Sequence, residues 1–465
     1  MADLAPDLER PPRIEVDETL VDDIGTLLRD EQRGMVLNLV ADLHPADLAD
    51  LILHLAPDDA DALFGWLPED KAGAVLPELE TARRSDLLDE MPASEIVSLL
   101  DEIDTDDAAD VLADLPDAVA EQVLPQLEDA AEVEALLHFG DETAGGLMET
   151  DYVSTRLAAT VDHATEELRR CAAEVDPVYV VYVLDEGDRL VGIVDLKTLV
   201  LARGGAAISD IMDPEVVTVE PELDQEDVAR IMERYDLVAL PVVSADGRML
   251  GRITIDDIVD VIRDEAEEDL QRASGIAGDE EITASVWAIS KGRLVWLMIG
   301  LVGAYGSGLV IRGFEGALEA AAVLAMFIPI VMAMAGNAGI QSSAIAVQGL
   351  ASGDLWSSDV VRRIGKELAV ALLNGIALAA ALAVIVLVMG AAGGLGDADT
   401  PRLALTSAVS LLVVIVLATV LGATVPLLLD RVGIDPALAT GPFITTSNDI
   451  IGLAVFFGVA SVLYL

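Results

Sequence analysis

PFITTSNDIIGLAVFFGVASVLYL, residues 442–465, decides what kind of chain this is. A helix needs about 20 mostly apolar residues to cross a bilayer, and this stretch supplies them. Within it stands a carboxylate, Asp449, next to Asn448 and just after Thr445 and Thr446. A charge inside an apolar span is costly, so it must face water, an ion or a partner, and it marks function by default. Gly441 and Pro442 predict a disrupted helix start whose carbonyls are free to face a hydrophilic path. Toward the N-terminus four more apolar stretches appear, at 294–311, 317–336, 368–393 and 403–429, and the last span widens to 439–465. Five such stretches in succession do not fit inside one soluble core, and they predict an all-α transmembrane bundle.

The basic residues orient this bundle. Lys291 and Arg293 precede the first span, Arg362, Arg363 and Lys366 the third, and Arg431 lies between the fourth and fifth; the opposite loops carry Arg312 and Arg402. Because Lys and Arg are retained on the cytoplasmic side, the long N-terminal part is expected in the cytosol and the C-terminus outside. The second span runs into AGNAGIQSS, residues 335–343, where Gly336, Gly339, Asn337, Gln341, Ser342 and Ser343 interrupt the apolar run. Small residues let helices approach closely, and amides can line a polar path. Asn374 and Glu319 are weaker candidates of the same kind.

Charge separates this third of the chain from the rest. The 465 residues include 27 basic and 82 acidic side chains, a net of −55, yet only eight basic and ten acidic residues follow position 285. Residues 1–285 therefore carry 19 basic and 72 acidic side chains. Such a body repels phosphate, which excludes electrostatic binding of nucleic acid, and it attracts cations. Part of the acidity serves solubility or adaptation to salt. The single cysteine, Cys171, excludes an internal disulfide. His44, His54, His138 and His163 lack the spacing of a zinc site. The N-terminus has no apolar core and is not expected to be a signal peptide. No phosphate loop, nucleophile elbow or histidine–carboxylate arrangement points to an enzyme.

Residues 44–128 repeat with a period near 12: HPADLADLILHL, APDDADALFGWL, PEDKAGAVLPEL, PASEIVSLLDEI and DTDDAADVLADL. Each has Pro or Asp at or next to its start and continues with Leu at helical spacing, which predicts short capped helices stacked as an all-α helical solenoid. A longer repeat follows. LMETDYVSTRLAATVDHATEELRR is echoed by IMDPEVVTVEPELDQEDVARIMER, and VYVVYVLDEGDRLVGIVDLKTLV by LVALPVVSADGRMLGRITIDDIVDV. Each copy reads strand, helix, strand, turn, strand, helix. This pattern resembles an α+β pair of CBS domains, which implies a pseudo-twofold disc and an adenine-nucleotide cleft near Asp195 and Asp257. Beyond the second copy, helical spacing brings Asp260, Asp264, Glu267 and Glu268 to neighbouring positions, where they repel unless a cation lies between them.

Over nearly its full length the chain resembles the MgtE family of magnesium channels or transporters. The resemblance is carried by Gly336, Asn337, Gly339, Gln341 and Ser342, by Asn374 and Gly375, and by DPALATGPFITTSNDIIG, residues 435–452. Ala335 and Ile340 depart from the family pattern. The resemblance implies a helical-repeat domain at 1–140, CBS domains at 141–205 and 206–262, a connecting helix at 263–290 and a membrane domain at 291–465. It implies a homodimer in the plasma membrane whose two copies of Asp449 meet in the pore, with Asn448, Thr445, Thr446, Asn337, Gln341 and Asn374 around it. It further implies intracellular Mg2+ bound at Glu226, Asp236, Asp257, Asp260, Glu265, Glu268, Asp269 and Asp435, with Asp106, Asp107 and Asp110 as helical-domain candidates, and ATP as a possible regulator. Two other readings stay open: a carrier of Co2+ or Mn2+, and a membrane-anchored nucleotide sensor.

Overall fold

In a computed structural model of the chain, residues 16–89, 91–171, 175, 177–276, 286–351, 360–396, 398–439 and 441–465 are described. The chain divides into two compact units, Met1–Asp264 and Glu265–Leu465.

The described residues of the first unit begin with ten short α-helices: α1 (Glu18–Arg29), α2 (Arg33–Val40), α3 (Pro45–His54), α4 (Pro57–Phe64), α5 (Glu69–Val75), α6 (Thr81–Asp89), α7 (Ala93–Leu100), α8 (Thr105–Asp114), α9 (Asp117–Val123) and α10 (Ala130–Leu136). Prolines 45 and 57 stand at helix starts, where a missing N–H costs nothing. Asp17 caps α1 by accepting from the Leu20 N–H at 2.8 Å, and His44 caps α3 through Nδ1, a structural role for that histidine. Each helix buries one stripe, such as Leu48, Leu51 and Ile52 of α3 or Val111 and Leu112 of α8, and stacking joins the stripes into one core. Helices α6 and α9 fall outside the stacked segments of the sequence repeat; their apolar stripes are too short to stand out.

The repeat at 146–264 folds as expected with one difference. The first copy runs β1 (Ser154–Arg156), α11 (Val161–Cys171), β2 (Val180–Leu184), β3 (Leu190–Asp195) and α12 (Leu196–Leu201); the second runs α13 (Gln225–Tyr235), β4 (Ala239–Val243), β5 (Met249–Thr254) and α14 (Ile255–Ser274). β1 pairs parallel to β2, which pairs antiparallel to β3, and β4 pairs antiparallel to β5. In the second copy the strand equivalent to β1 shrinks to a single parallel bridge, Val219 to Val242.

The two copies exchange their leading segments. Backbone bridges join Glu149 to Arg252 and, symmetrically, Asp213 to Ile193. At this crossing Gly251 passes so close to the Glu149 carbonyl, and Gly192 to that of Asp213, that a Cβ on either would collide with backbone. Side chains reinforce the crossing: Arg252 Nε and Nη2 donate to Glu149 Oε2 at 3.1 and 2.7 Å, and Nη1 donates to the Pro177 carbonyl. Both partners are under 10% exposed. Burial pushes the Glu149 carboxyl up to about 7 despite the opposing pull of Arg252. Removing one partner of a buried pair leaves an uncompensated charge, so Arg252→Ala should destabilise the first unit by about 3–5 kcal/mol in thermal or urea unfolding. The paired change Glu149→Gln with Arg252→Met should recover much of that loss.

Helix α14 is one 20-residue helix running through positions 262 and 263. The connecting helix expected from 263 is thus a prolongation of the last CBS helix; of its expected course, residues 277–285 lie outside the described residues.

The second unit holds α15 (Val286–Gly313), α16 (Glu315–Ala320), α17 (Ile328–Ala351), α18 (Val360–Ala391), α19 (Thr400–Arg431) and α20 (Gly441–Leu463). Among the described residues five segments are long and apolar enough to cross a membrane: Ile289–Gly313, Ala322–Leu350, Arg362–Ala391, Thr400–Arg431 and Gly441–Leu463. The second is displaced from its expected place at 317–336, because the separate short helix α16 occupies Glu315–Ala320 and the span opens only afterwards, on a 3-10 turn at Ala322–Phe327. Pro329 then falls in the first turn of α17, and the AGNAGIQSS segment continues that helix without a break. α19 packs against α17, α18 and α20. A Cβ on Gly422 of α19 would collide with the Gly339 carbonyl of α17, so the motif glycine serves close helix approach. Phe327, Phe456, Phe457 and Leu453 fill the centre.

Candidate functional site

On α20 the candidate residues Thr445, Thr446, Asn448 and Asp449 lie within five consecutive positions. Asn448 is 2% exposed and points at α17, donating from Nδ2 to the Ala335 carbonyl at 3.4 Å. Thr445 stands over Gly336 of α17, and Thr446 packs on Gly303 of α15. These contacts lock the rotation of α20 and fix the direction of Asp449. Its carboxylate is half-buried and makes no hydrogen bond or ion pair among the described residues. The helix start is more regular than the sequence suggests: Gly441 takes a left-handed φ of 52°, and its carbonyl accepts from the Thr445 hydroxyl at 2.9 Å instead of standing free.

Asn337, Gln341 and Asn374 do not join this group. With Ser342 they line a cavity of about 660 Å³ among α17, α18 and α19, to which Asp449 does not contribute. Beside them Ser342 Oγ donates to Glu367 Oε2 at 2.9 Å, and Arg363 pairs with Glu367 at 2.7 Å. Glu319 lies on the short α16.

The first unit gathers a different set of carboxylates. In DTDDAAD, helical geometry sends Thr105, Ala108, Ala109 and Leu112 inward and carries Asp106 with them. Asp106 is 8% exposed, and its Oδ1 is buried with no hydrogen-bond partner among the described residues. Burial, then Asp107 and Asp257, hold the Asp106 carboxyl well above the usual range. Burial, then Asp104 and Asp257, push Asp107 up to about 8. Asp110, at the solvent edge, rises to about 6 through desolvation and Asp141. Asp257 rises to about 6 by burial, although Thr254 donates to it from its hydroxyl at 2.9 Å and from its N–H. Asp104 and Glu149 belong to the same field and were missed in the sequence. The repeat that aligns Met148 with Met212 also aligns Glu149 with Asp213, a signal that could have found it. Asp195 is exposed at the start of α12, away from such crowding.

The other candidates are dispersed. In the second unit Arg272 pairs with Glu268 and donates to Asp435 at 2.8 Å. Burial, then Asp435, raises the neighbouring Asp269 carboxyl. Glu226 pairs with Arg230 at 3.0 Å on α13, Asp236 caps that helix in a left-handed turn, and Asp260 pairs with Arg263. Among the described residues no three His, Cys, Asp or Glu side chains are placed to hold a metal ion. A cation bound by these groups would therefore keep much of its water shell or draw the carboxylates together. The partnerless Asp106 oxygen and the raised carboxyls fit such a ligand, because a cation supplies the charge that burial has removed.

A unit with five candidate membrane helices, following a helical-repeat and CBS-pair unit, defines a membrane protein with an appended helical-repeat and CBS-pair body. Residues 328–459 match the MgtE divalent cation transporter family, 43–142 the MgtE intracellular N domain, and 144–205 and 208–264 the CBS domain. The chain is 36% identical over 334 residues to the magnesium transporter MgtE of Thermus thermophilus, covering 71% of itself and 72% of that relative. It is 36% identical over 330 residues to the magnesium transporter MgtE of Enterococcus faecalis, covering 71% of each. A crystal structure of the cytosolic domain of the Mg2+ channel MgtE in complex with ATP is similar over 52% of this chain and 99% of that one, at 34% identity and a TM-score of 0.50. The chain belongs to the MgtE family of divalent cation transporters.

Proposed function

We propose that this chain conducts Mg2+ across the plasma membrane as a homodimer, with its acidic body in the cytosol. The observation that carries this reading is Asp449, a carboxylate inside a candidate span with no hydrogen bond or ion pair among the described residues. Mg2+ dehydrates reluctantly and keeps several waters. Two Asp449 carboxylates facing across a twofold axis would hold the hydrated ion through its water shell, and paired negative charge favours a divalent over a monovalent cation. The names of the relatives support Mg2+ as cargo. Reconstituted vesicles with a fluorescent Mg2+ indicator test it: Mg2+ should enter, and excess Co2+ or Mn2+ outside should compete weakly. Uptake driven by Co2+ or Mn2+ alone would replace Mg2+ by another divalent cargo.

The body is the sensor in this proposal. Asp106, Asp107, Asp110 and Asp257 repel one another at low Mg2+ and loosen the packing of the repeat helices on the second CBS copy. Cytosolic Mg2+ bridges them, favours the compact form and closes the path, provided that it binds that form better than the loose one. Asp269 and Asp435 form a second acidic pair at which Arg272 occupies part of the cation's place. ATP would bind the CBS pair and tune this response, as the ATP complex of the solved relative suggests.

A further inference from the structure

The cavity among α17, α18 and α19 takes no part in the path proposed at Asp449, and its lining is graded. Arg363 and Lys366 stand at one end, on the first turns of α18. The amides of Gln341, Asn337 and Asn374 follow, Asn374 lying eight residues and so about 12 Å along the helix from Lys366. Met334, Leu378 and Ile415 close the far end with apolar surface. Cation, hydrogen-bond donors and hydrocarbon wall follow in the order of a phospholipid's phosphate, ester carbonyls and acyl chain. We infer that this groove binds one phospholipid with an anionic headgroup, seated from the leaflet that faces the start of α18.

The charge balance supports an anion. Arg363 and Lys366 face Glu367 alone, while α17 and α19 contribute no charged group to the lining. Glu367 is already satisfied by the Ser342 hydroxyl and by Arg363. Arg363 is 13% exposed, and its Nε is buried with no hydrogen-bond partner among the described residues. Lys366 is exposed with no ion pair among the described residues. A pocket between membrane helices with basic side chains at its cytoplasmic mouth is a suitable seat for an anionic headgroup. A free phosphate would use the mouth and leave the amides and apolar end without purpose. The inference rests on the membrane reading of these helices and their orientation, and is independent of Asp449 and of the ion carried.

Native mass spectrometry of the full chain, released from mixed micelles of equal phosphatidylglycerol and phosphatidylcholine, tests it. Phosphatidylglycerol should be retained in preference, and Lys366→Glu should reduce that preference by about fivefold, the effect of one basic residue near an anionic headgroup. Lys366 is exposed and has no ion pair among the described residues, so this variant keeps its fold. Val370→Trp, which fills the groove from its exposed wall, should reduce retention of either lipid. Asp449→Asn should retain the lipid preference while losing transport, which separates this inference from the transport reading. Equal retention of both lipids, a preference indifferent to Lys366→Glu, or displacement by millimolar inorganic phosphate would overturn it. So would disulfide formation between two copies of Ile345→Cys, which would place a second chain in the groove.

Discussion

Asp449→Asn should lower Mg2+ flux into reconstituted vesicles by more than about a hundredfold. The magnitude follows from Coulomb's law: a divalent ion about 5 Å from one carboxylate, across a water shell, gains roughly 6–7 kcal/mol at an effective dielectric near 20. A dimer would lose that term twice. Asn keeps the volume of Asp, and the packing of α20 does not depend on residue 449. Asn448 holds the helix to α17, Thr446 to α15, and Gly452 packs against Ala335 and Val414. A loss in Asp449→Asn therefore reports charge, and an unchanged elution volume shows that the bundle survives. Asp449→Glu, which restores the charge on a longer stem, should recover part of the flux. Normal flux in the Asn variant would remove Asp449 from the path and leave its solitary charge without an explanation.

Helix positions were legible where one physical effect dominates. The third, fourth and fifth spans lie close to where apolar length puts them, because nothing interrupts them. The second was misplaced because the apolar residues from Ala317 run without a gap into the span, and hydropathy does not register that α16 ends at Ala320 and a 3-10 turn opens the span at Ala322. The polar AGNAGIQSS segment read as an interruption, yet it stays helical. Its glycines are covered by α19 and α20, and Ser342 finds Glu367, a partner 25 positions away. The CBS copies were legible because each supports the reading of the other, while the exchange of their leading segments was not. That exchange depends on Gly192 and Gly251 admitting a crossing backbone, and a glycine in a strand does not announce what approaches it. The candidate site divides in the same way. Asp449 was legible because a charge in a span is expensive wherever it points. Which of the soluble carboxylates crowd together depends on which face of α8 turns inward and on where Asp257 lies in the fold. Neither is encoded within a short stretch.

The crowding of those carboxylates should appear as a stability that falls with rising pH in chelator and recovers with Mg2+. Asp107 at about 8 and Asp257 at about 6 stand above an ordinary aspartate in the folded chain. The native state therefore binds more protons than the unfolded state between the ordinary aspartate value and the raised ones. Stability must then be greatest below about pH 4 for these groups and must fall as pH climbs through 6 and 8. Asp257 alone accounts for about 3 kcal/mol over its part of that window, before screening by water reduces it. Other carboxylates of ordinary pKa are indifferent to pH across this range, so the slope belongs to the raised group. Mg2+ reverses the balance, because a bound cation favours the ionised form and lowers these values toward normal. The expected result is a melting temperature of the first unit, followed in the full chain by protease resistance or by Trp66 fluorescence after Trp287, Trp296 and Trp356 are replaced by Phe, that declines from pH 5 to 8 in EDTA and is nearly flat in millimolar Mg2+. Asp107→Asn combined with Asp257→Asn should reduce both the pH slope and the Mg2+ response, leaving the part of the slope that Asp106, Asp110 and Glu149 contribute. If the chain melts alike with and without Mg2+ at pH 8, the acidic group is a stable, protonated feature of the fold, and the sensor proposed for it must lie elsewhere in the body.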